Sequence, residues 1–290
     1  MLAGSPFHYS IKVALSDSRS FITKFDNKVA IMKDGKKVGE TVSLSDYYEG
    51  QEIGEMWGLT TEGFFQSEEE LKNHADQSAV GEDDQSYKFY VGDLKFADLN
   101  NDGKINRGKW TLADPGDFRK IGNSSSRYPY SFDLAADWKG FDLRAFFQGI
   151  GKRDWYAGGG NHYFWGIYAQ PWTNVQTHNL DHWTPENPNA YYPRVKAYIA
   201  ESSGCELACV QTRYLQDASY LRLKNCTLGY TLPQDLTRKW NIERMRFYFS
   251  GENLFEISHL KANLDPEALS DGGRVYPLQR SYSFGVNLTF

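Results

Sequence analysis

One nine-residue run, DLNNDGKIN from Asp98 to Asn106, carries the clearest chemical signature in the chain. Asp98, Asn100 and Asp102 stand at the first, third and fifth places of an EF-hand-like loop. Gly103 is sixth, where the backbone must turn sharply, and Lys104 is seventh, where a carbonyl is supplied. Hard oxygens at that spacing suit Ca²⁺, so Asp98, Asn100, Asp102 and Lys104 are the expected ligands of a structural ion. The loop departs from the pattern at the twelfth place, where a bidentate acid belongs and Lys109 stands. Asp114 or Asp117 would have to fold back to replace it. The same residues also spell an Asx-rich turn that needs no metal.

Other groupings are weaker. His178 and His182 in THNLDHW are four apart, on one face if the segment is helical, as a zinc pair would be. No third ligand or positioned base accompanies them, so polar loop histidines are expected. The run RDWYAGGGNHYFWGIYAQPW concentrates aromatic side chains, and Trp155, Tyr156, Trp165 and Trp172 are the expected contacts to a substrate or partner protein. The competing expectation is a loop packed on itself. Asp133, Asp137 and Asp142 are grouped only by alternation, so no catalytic residue is assigned and no enzyme is expected. Cys205 and Cys209 either bridge locally in an oxidising compartment or remain two loop thiols. With Cys226 they make three cysteines, too few for a disulfide framework.

The elements that position these residues repeat with a period of two. In FHYSIKVAL, Phe7, Tyr9, Ile11, Val13 and Leu15 share one face. In YPYSFDLAADW, Tyr128, Tyr130, Phe132, Leu134, Ala136 and Trp138 do the same; Lys139-Gly140 makes a two-residue turn, and FDLRAFFQG resumes the alternation, which predicts a hairpin. SYLRLKNCTLGYTL slips phase near Asn225, predicting a bulge. RMRFYFSGENLF and SYSFGVNLTF close the series. Weaker strands near 21–26, 52–64 and 86–97 bring the count to eight or nine. Short helices are expected at 67–75, where Ser67 caps and Glu70 follows, after Pro233, and in NVQTHNLDHW. Long loops cover 98–125, 152–212 and 259–277.

The chain has 290 residues with a net charge of -5, which argues against a nucleic-acid partner. Its mean hydropathy is -0.60 and no run approaches the ~18 apolar residues of a membrane helix. Alternating strands average out as polar, so a membrane β-barrel stays open. Phe, Tyr and Trp make 16% of the chain, and such rings fall at strand ends, as Tyr128 and Trp138 do. That matches interfacial girdles, and short turns alternating with long loops match an outer-membrane barrel better than a sandwich. MLAGSPFHYS has neither the basic start nor the apolar run of a signal peptide, so taken literally the chain is cytosolic or incomplete.

Seven stretches in order resemble the SusC/RagA-type TonB-dependent transporters of Gram-negative outer membranes. They are YYEGQEIGEMWGLTTEGFFQSEEEL, GDLKFADLNNDGKIN, GFDLRAFFQGIGKRDWY, WTPENPNAYYPR, YLRLKNCTLGYTLP, RFYFSGENLF and YSFGVNLTF. The resemblance implies an all-β fold: residues 1–290 would be the C-terminal portion, the last eight or nine strands, of an antiparallel transmembrane barrel of about 22 strands with long extracellular loops. The terminal strand ending in Phe290 resembles the signal read by the barrel-assembly machinery. A plug domain and the N-terminal strands would be absent, making the chain a fragment. The implied function is import of glycans or peptides across the outer membrane. The implied partners are a SusD-type surface lipoprotein, outer-membrane lipid, and the TonB complex through the missing N-terminal part.

With Phe290 at the periplasm, parity places 259–277, 152–212 and 98–125 outside, and Lys139-Gly140 and 232–243 at the periplasm; upstream of 98 it is undetermined. A soluble calcium-binding, β-rich carbohydrate-binding module is the alternative, and a β-rich glycoside hydrolase with two carboxylates in a cleft is a third. A face free of charge across every strand separates the barrel from the module.

Overall fold

The computed structural model describes residues 7–80, 88–202, 205–269, 276 and 278–290. Six strands form one antiparallel sheet whose spatial order repeats chain order. They are β1 (Phe7–Leu15), β2 (Arg127–Trp138), β3 (Phe141–Lys152), β4 (Tyr220–Thr231), β5 (Arg244–Ser258) and β6 (Ser281–Thr289). Alternation in the sequence makes them, and local chemistry sets their register. Lys139 (φ 47°) and Gly140 (φ 91°) form the left-handed pair that joins β2 to β3 and sets Trp138 opposite Phe141. The register of β4 shifts between Leu223 and Asn225 against both neighbours, the bulge that the phase slip predicts.

Register sorts side chains into two faces. One row reads Phe7, Trp138, Phe141, Tyr230, Phe247, Val286; a middle row reads Ile11, Leu134, Ala145, Cys226, Gly251, Tyr282; an upper row reads Leu15, Tyr130, Gly149, Leu221, Ile257. The opposite face carries Lys12 and Asp133, Asp137 and Asp142, Arg144 and Thr227, and Arg246 and Asn287 as cross-strand neighbours.

Short turns lie at one end of the sheet: Lys139-Gly140, and 232–243, which holds the helical turns Gln234–Thr237 and Arg238–Trp240. The connections 16–126, 153–219 and 259–280 all leave from the other end. They fold into a cap whose buried cluster includes Leu59, Phe96, Phe164, Trp165, Tyr192 and Tyr214 and takes no residue from the six strands. Four two-stranded ladders brace the cap. Lys28–Lys33 pairs with Lys36–Val42, Glu55–Gly58 with Arg119–Asn123, Thr61–Phe64 with Leu94–Phe96, and Asp154–Trp155 with Gln216–Asp217.

This revises part of the expectation. The stretches 52–64 and 86–97 do contain strands, but these belong to the cap, and 21–26 contributes only the bridge of Phe21 to Glu52. The main sheet therefore has six strands among the described residues, where eight or nine barrel strands were expected. Parity upstream of 98 is now fixed, because β1 pairs with β2 and 16–126 leaves from the same end as the later long loops. Residues 1–6, residues 86–87 of the weak strand, and 270–275 and 277 of the last loop lie outside the described residues. The helix at 67–75 spans Glu68–Asn73, where Ser67 Oγ accepts the Glu70 N–H at 3.1 Å and the Glu70 carboxylate accepts the Gln66 N–H at 2.7 Å.

Candidate functional site

The Asp98 loop is closed by its own side chains. Asp98 Oδ1 accepts the Asn101 N–H at 2.7 Å and its Oδ2 the Gly103 N–H at 2.8 Å. Asn100 Oδ1 accepts the Asp102 N–H at 3.0 Å, and Asp102 Oδ1 the Lys104 N–H at 2.8 Å. Asn101 (φ 60°) and Gly103 (φ 80°) take the left-handed turn. Asp117 does fold back, but its two oxygens receive the Leu99 and Asn106 N–H groups at 2.9 Å each. It clamps the ends of the loop from a fully buried position. Asp114 turns instead to Lys109, 3.8 Å away. The donors are all oxygen, as Ca²⁺ prefers, but they fall short of its usual six to eight without water. Among the described residues no three His, Cys, Asp or Glu side chains gather to hold a metal.

The aromatic run divides. Trp165 is fully buried, with its indole N–H donating to the Ala157 and Gly158 carbonyls at 3.0 and 3.2 Å and its ring edge-on to Tyr214. Trp155 is 9% exposed, in the same cluster. Tyr156 donates to the Leu207 and Cys209 carbonyls at 2.8 and 2.9 Å, and burial pushes its phenol pKa well up. Trp155 and Trp165 belong to the buried cluster of the cap, and Tyr156 packs half-buried against it. Trp172 alone of the four is open, 71% exposed, with Tyr198 set edge-on beside it.

The histidine pair does not form. Only a 3₁₀ turn, Thr177–Leu180, arises in its segment, and His178 Nε2 lies 3.0 Å from the Tyr163 carbonyl and 3.3 Å from that of Phe164. Burial lowers the His178 pKa, with the two carbonyls opposing.

The charged face of the sheet brings together polar side chains from β2, β3, β4, β5 and β6. It bounds a cavity of about 530 Å³ lined by Asp137, Asp142, Arg144, Arg244 and Arg246 among polar neighbours. Asp137 and Asp142 stand directly opposite on β2 and β3, a repulsive placement. Arg246 on β5 relieves it by bonding Asp142 from two strands away, with Nε to Oδ1 at 2.8 Å. The signal that would have found this group is an acid and a base in phase on the polar face, separated by a strand that offers glycine between them.

No protein-family profile matches the chain. Two curated proteins of Formosa agariphila do: TonB-dependent receptor P3, 28% identical over 257 residues, and TonB-dependent receptor P26, 27% identical over 254, each alignment covering 83% of this chain. The chain is similar to the TonB-dependent receptors. It spans 22% and 23% of the length of those two receptors. Among solved structures, the RagAB peptide transporter matches all of this chain over 28% of its own, with a TM-score of 0.64 at 21% identity. The RagAB peptide importer in its "open-open" state matches with a TM-score of 0.60 at 20% identity. At those identities the structural matches speak for the fold, which is rich in β-strand; no described helix is long and apolar enough to cross a membrane. The proteins matched are named as receptors and transporters, not as enzymes.

Proposed function

We propose that this chain forms a sector of the wall of a TonB-dependent outer-membrane importer, with the outer cap above that sector, and that it binds and passes substrate without transforming it. One observation carries the reading. Between the row of Phe7 and Trp138 and the row of Leu15 and Tyr130, no Asp, Glu, Lys or Arg stands on the apolar face of any strand. Eight residue steps along β2 span about 27 Å, or about 20 Å normal to the membrane at a tilt of about 40°. A barrel's lipid-facing band is about 25 Å tall.

A soluble sandwich would bury such a face under a second sheet. Here Ile11 is 61% and Phe284 84% exposed, and the cap's buried cluster lies elsewhere. Lipid covers that face in this reading, and the charged face borders a water-filled interior. The matched receptors are over four times as long as the aligned segment, leaving ample chain to complete a barrel and to reach the TonB complex.

The substrate is a peptide or a glycan, and because the solved structures it resembles are a peptide transporter and a peptide importer, peptides are the first class to test. A SusD-type surface lipoprotein covers the cap side, and a structural Ca²⁺ sits at Asp98, Asn100, Asp102 and the Lys104 carbonyl. The test is a deletion of the full-length gene, assayed for uptake of labelled oligopeptides and oligosaccharides with and without a working TonB. Loss of uptake of one class that TonB inactivation reproduces is expected. Uptake untouched by the deletion, or lost only independently of TonB, overturns the proposal.

A further inference from the structure

We propose that Cys205 and Cys209 are joined by a disulfide in the folded protein. Both lie in one tight turn of the cap. The Cys209 N–H donates to the Cys205 carbonyl at 3.2 Å, and the Ala208 N–H shares that carbonyl at 3.1 Å. A turn closed by that five-residue bond sets the two Cα atoms about 6 Å apart, inside the range of about 4.4–6.8 Å that a disulfide spans. The structure holds both as buried thiols; the Cβ atoms of such a pair stand about 5–6 Å apart and must draw in by about 1–2 Å to reach the mean bonded separation of about 3.8 Å. Both side chains belong to the same buried cluster, at 9% and 6% exposure, so they share one dry space. Cys226 is no rival partner, because it stands on the apolar face of β4 between Ala145 and Gly251.

The turn is a hub of the cap. Tyr156 donates to the Leu207 and Cys209 carbonyls. Glu206 Oε2 accepts the Leu94 N–H at 2.8 Å, and Gln211 donates to the Glu206 carbonyl at 2.6 Å. Leu59 donates to the Val210 carbonyl at 2.9 Å. A cross-link at Cys205 and Cys209 fixes the short segment on which the stretches at 59, 94 and 156 converge.

In the reaction, two S–H bonds are lost and one S–S bond forms. The two electrons reduce the disulfide of a periplasmic protein thiol oxidant by exchange through a mixed disulfide, and the oxidant's two sulfurs take up the two protons and leave as a dithiol. The inference rests on the proposed placement of the cap outside the cytoplasm, where thiols are oxidised.

The experiment takes the full-length receptor from its native cell envelope. Inner and outer membranes are separated, the receptor is denatured in N-ethylmaleimide without reductant, and its peptides are read by mass spectrometry. The expected peptide holding Cys205 and Cys209 is unalkylated and two hydrogens lighter than the dithiol, while Cys226 carries maleimide. Prior reduction moves both cap cysteines to the alkylated form. Full alkylation of both cysteines without reductant, in receptor recovered from the outer membrane, overturns the disulfide. Receptor absent from the outer-membrane fraction overturns the placement instead, so the two failures are told apart. The Cys205→Ser/Cys209→Ser variant checks the consequence: reductant speeds proteolysis of the wild-type cap and leaves the variant's rate unchanged. A rate equally sensitive to reductant in both overturns the hub role of the bond.

Discussion

Arg246 reaches across Gly229 to grip Asp142, joining β5 to β3 over the strand between them. A Cβ built at Gly229 falls 2.5 Å from both Arg246 Nε and Asp142 Oδ1, so only glycine leaves the crossing open. Gly229→Ala is therefore expected to displace the guanidinium, because the far end of a long side chain moves more readily than the backbone. Both partners are half-buried on a face that borders water, so losing the paired hydrogen bonds costs about 1 kcal/mol. The check is a double-mutant cycle of Asp142→Ala and Arg246→Ala in the full-length protein, read from the denaturant midpoint of its heat-modifiable migration. A coupling near zero would refute the grip.

The apolar face predicts a depth profile. Leu134 lies in the middle row and Trp138 at the row beside the short turns. In the full-length protein Leu134→Arg is expected to cost about 2–4 kcal/mol and Trp138→Arg at most about 1 kcal/mol. Ser131→Arg, on the charged face, should be close to neutral. Folded protein recovered from outer membranes measures all three, and equal yields for Leu134→Arg and Ser131→Arg would mean that lipid does not cover that face.

Calcium makes a separate prediction. If Asp98, Asn100, Asp102 and the Lys104 carbonyl hold the ion, Asp102→Ala removes a charged ligand and should weaken binding at least about tenfold, since ligand charge tunes affinity. Titration calorimetry of the full-length protein reads it. An unchanged affinity would assign the loop to the Asx turns that already close it.

The cap should lose stability with acid in two steps. Burial holds the His178 pKa below its ordinary 6.5, so the unfolded chain takes up that proton first and stability falls as pH drops below 6.5. The Glu70 carboxyl is held below 4.5 by the Gln66 N–H, then by Lys95, so its contribution is present above 4.5 and is lost as pH falls through the lowered value. His178→Gln should abolish the first step and spare the second, as followed by proteolysis of the cap against pH. A first step of undiminished size in that variant would place it elsewhere.

The sheet was legible because its periodicity is local: Phe132 and Leu134 announce a face, and Lys139-Gly140 announces a turn, within a few residues. The cap was not. Thr61–Phe64 is a strand because Leu94–Phe96 lies beside it, and alternation over four residues names no partner. Trp165 and Trp172 share one aromatic run, and only closure onto Tyr192 and Tyr214 decides which of them is buried. Of the candidate ligands, the loop geometry at Asp98 follows its sequence closely, whereas Asp117 was placed near the loop without its clamping role being foreseen. The Arg246 crossing needed a register that no single strand contains.

The stitching of the cap also sets an order of events. Asp93 meets Arg194 at 2.6 Å, Leu94 meets Glu206, and Thr61 meets Gln211 at 2.7 Å, so the first long connection completes its contacts only against the second. Closing such distant pairs is entropically slow. Strands β2 and β3 can pair as soon as their two-residue turn is made, but the earlier connection must wait, half-built, until residues beyond 211 have arrived. In the time course of assembly the β2–β3 hairpin is free to set before the two long connections on either side of it have locked together.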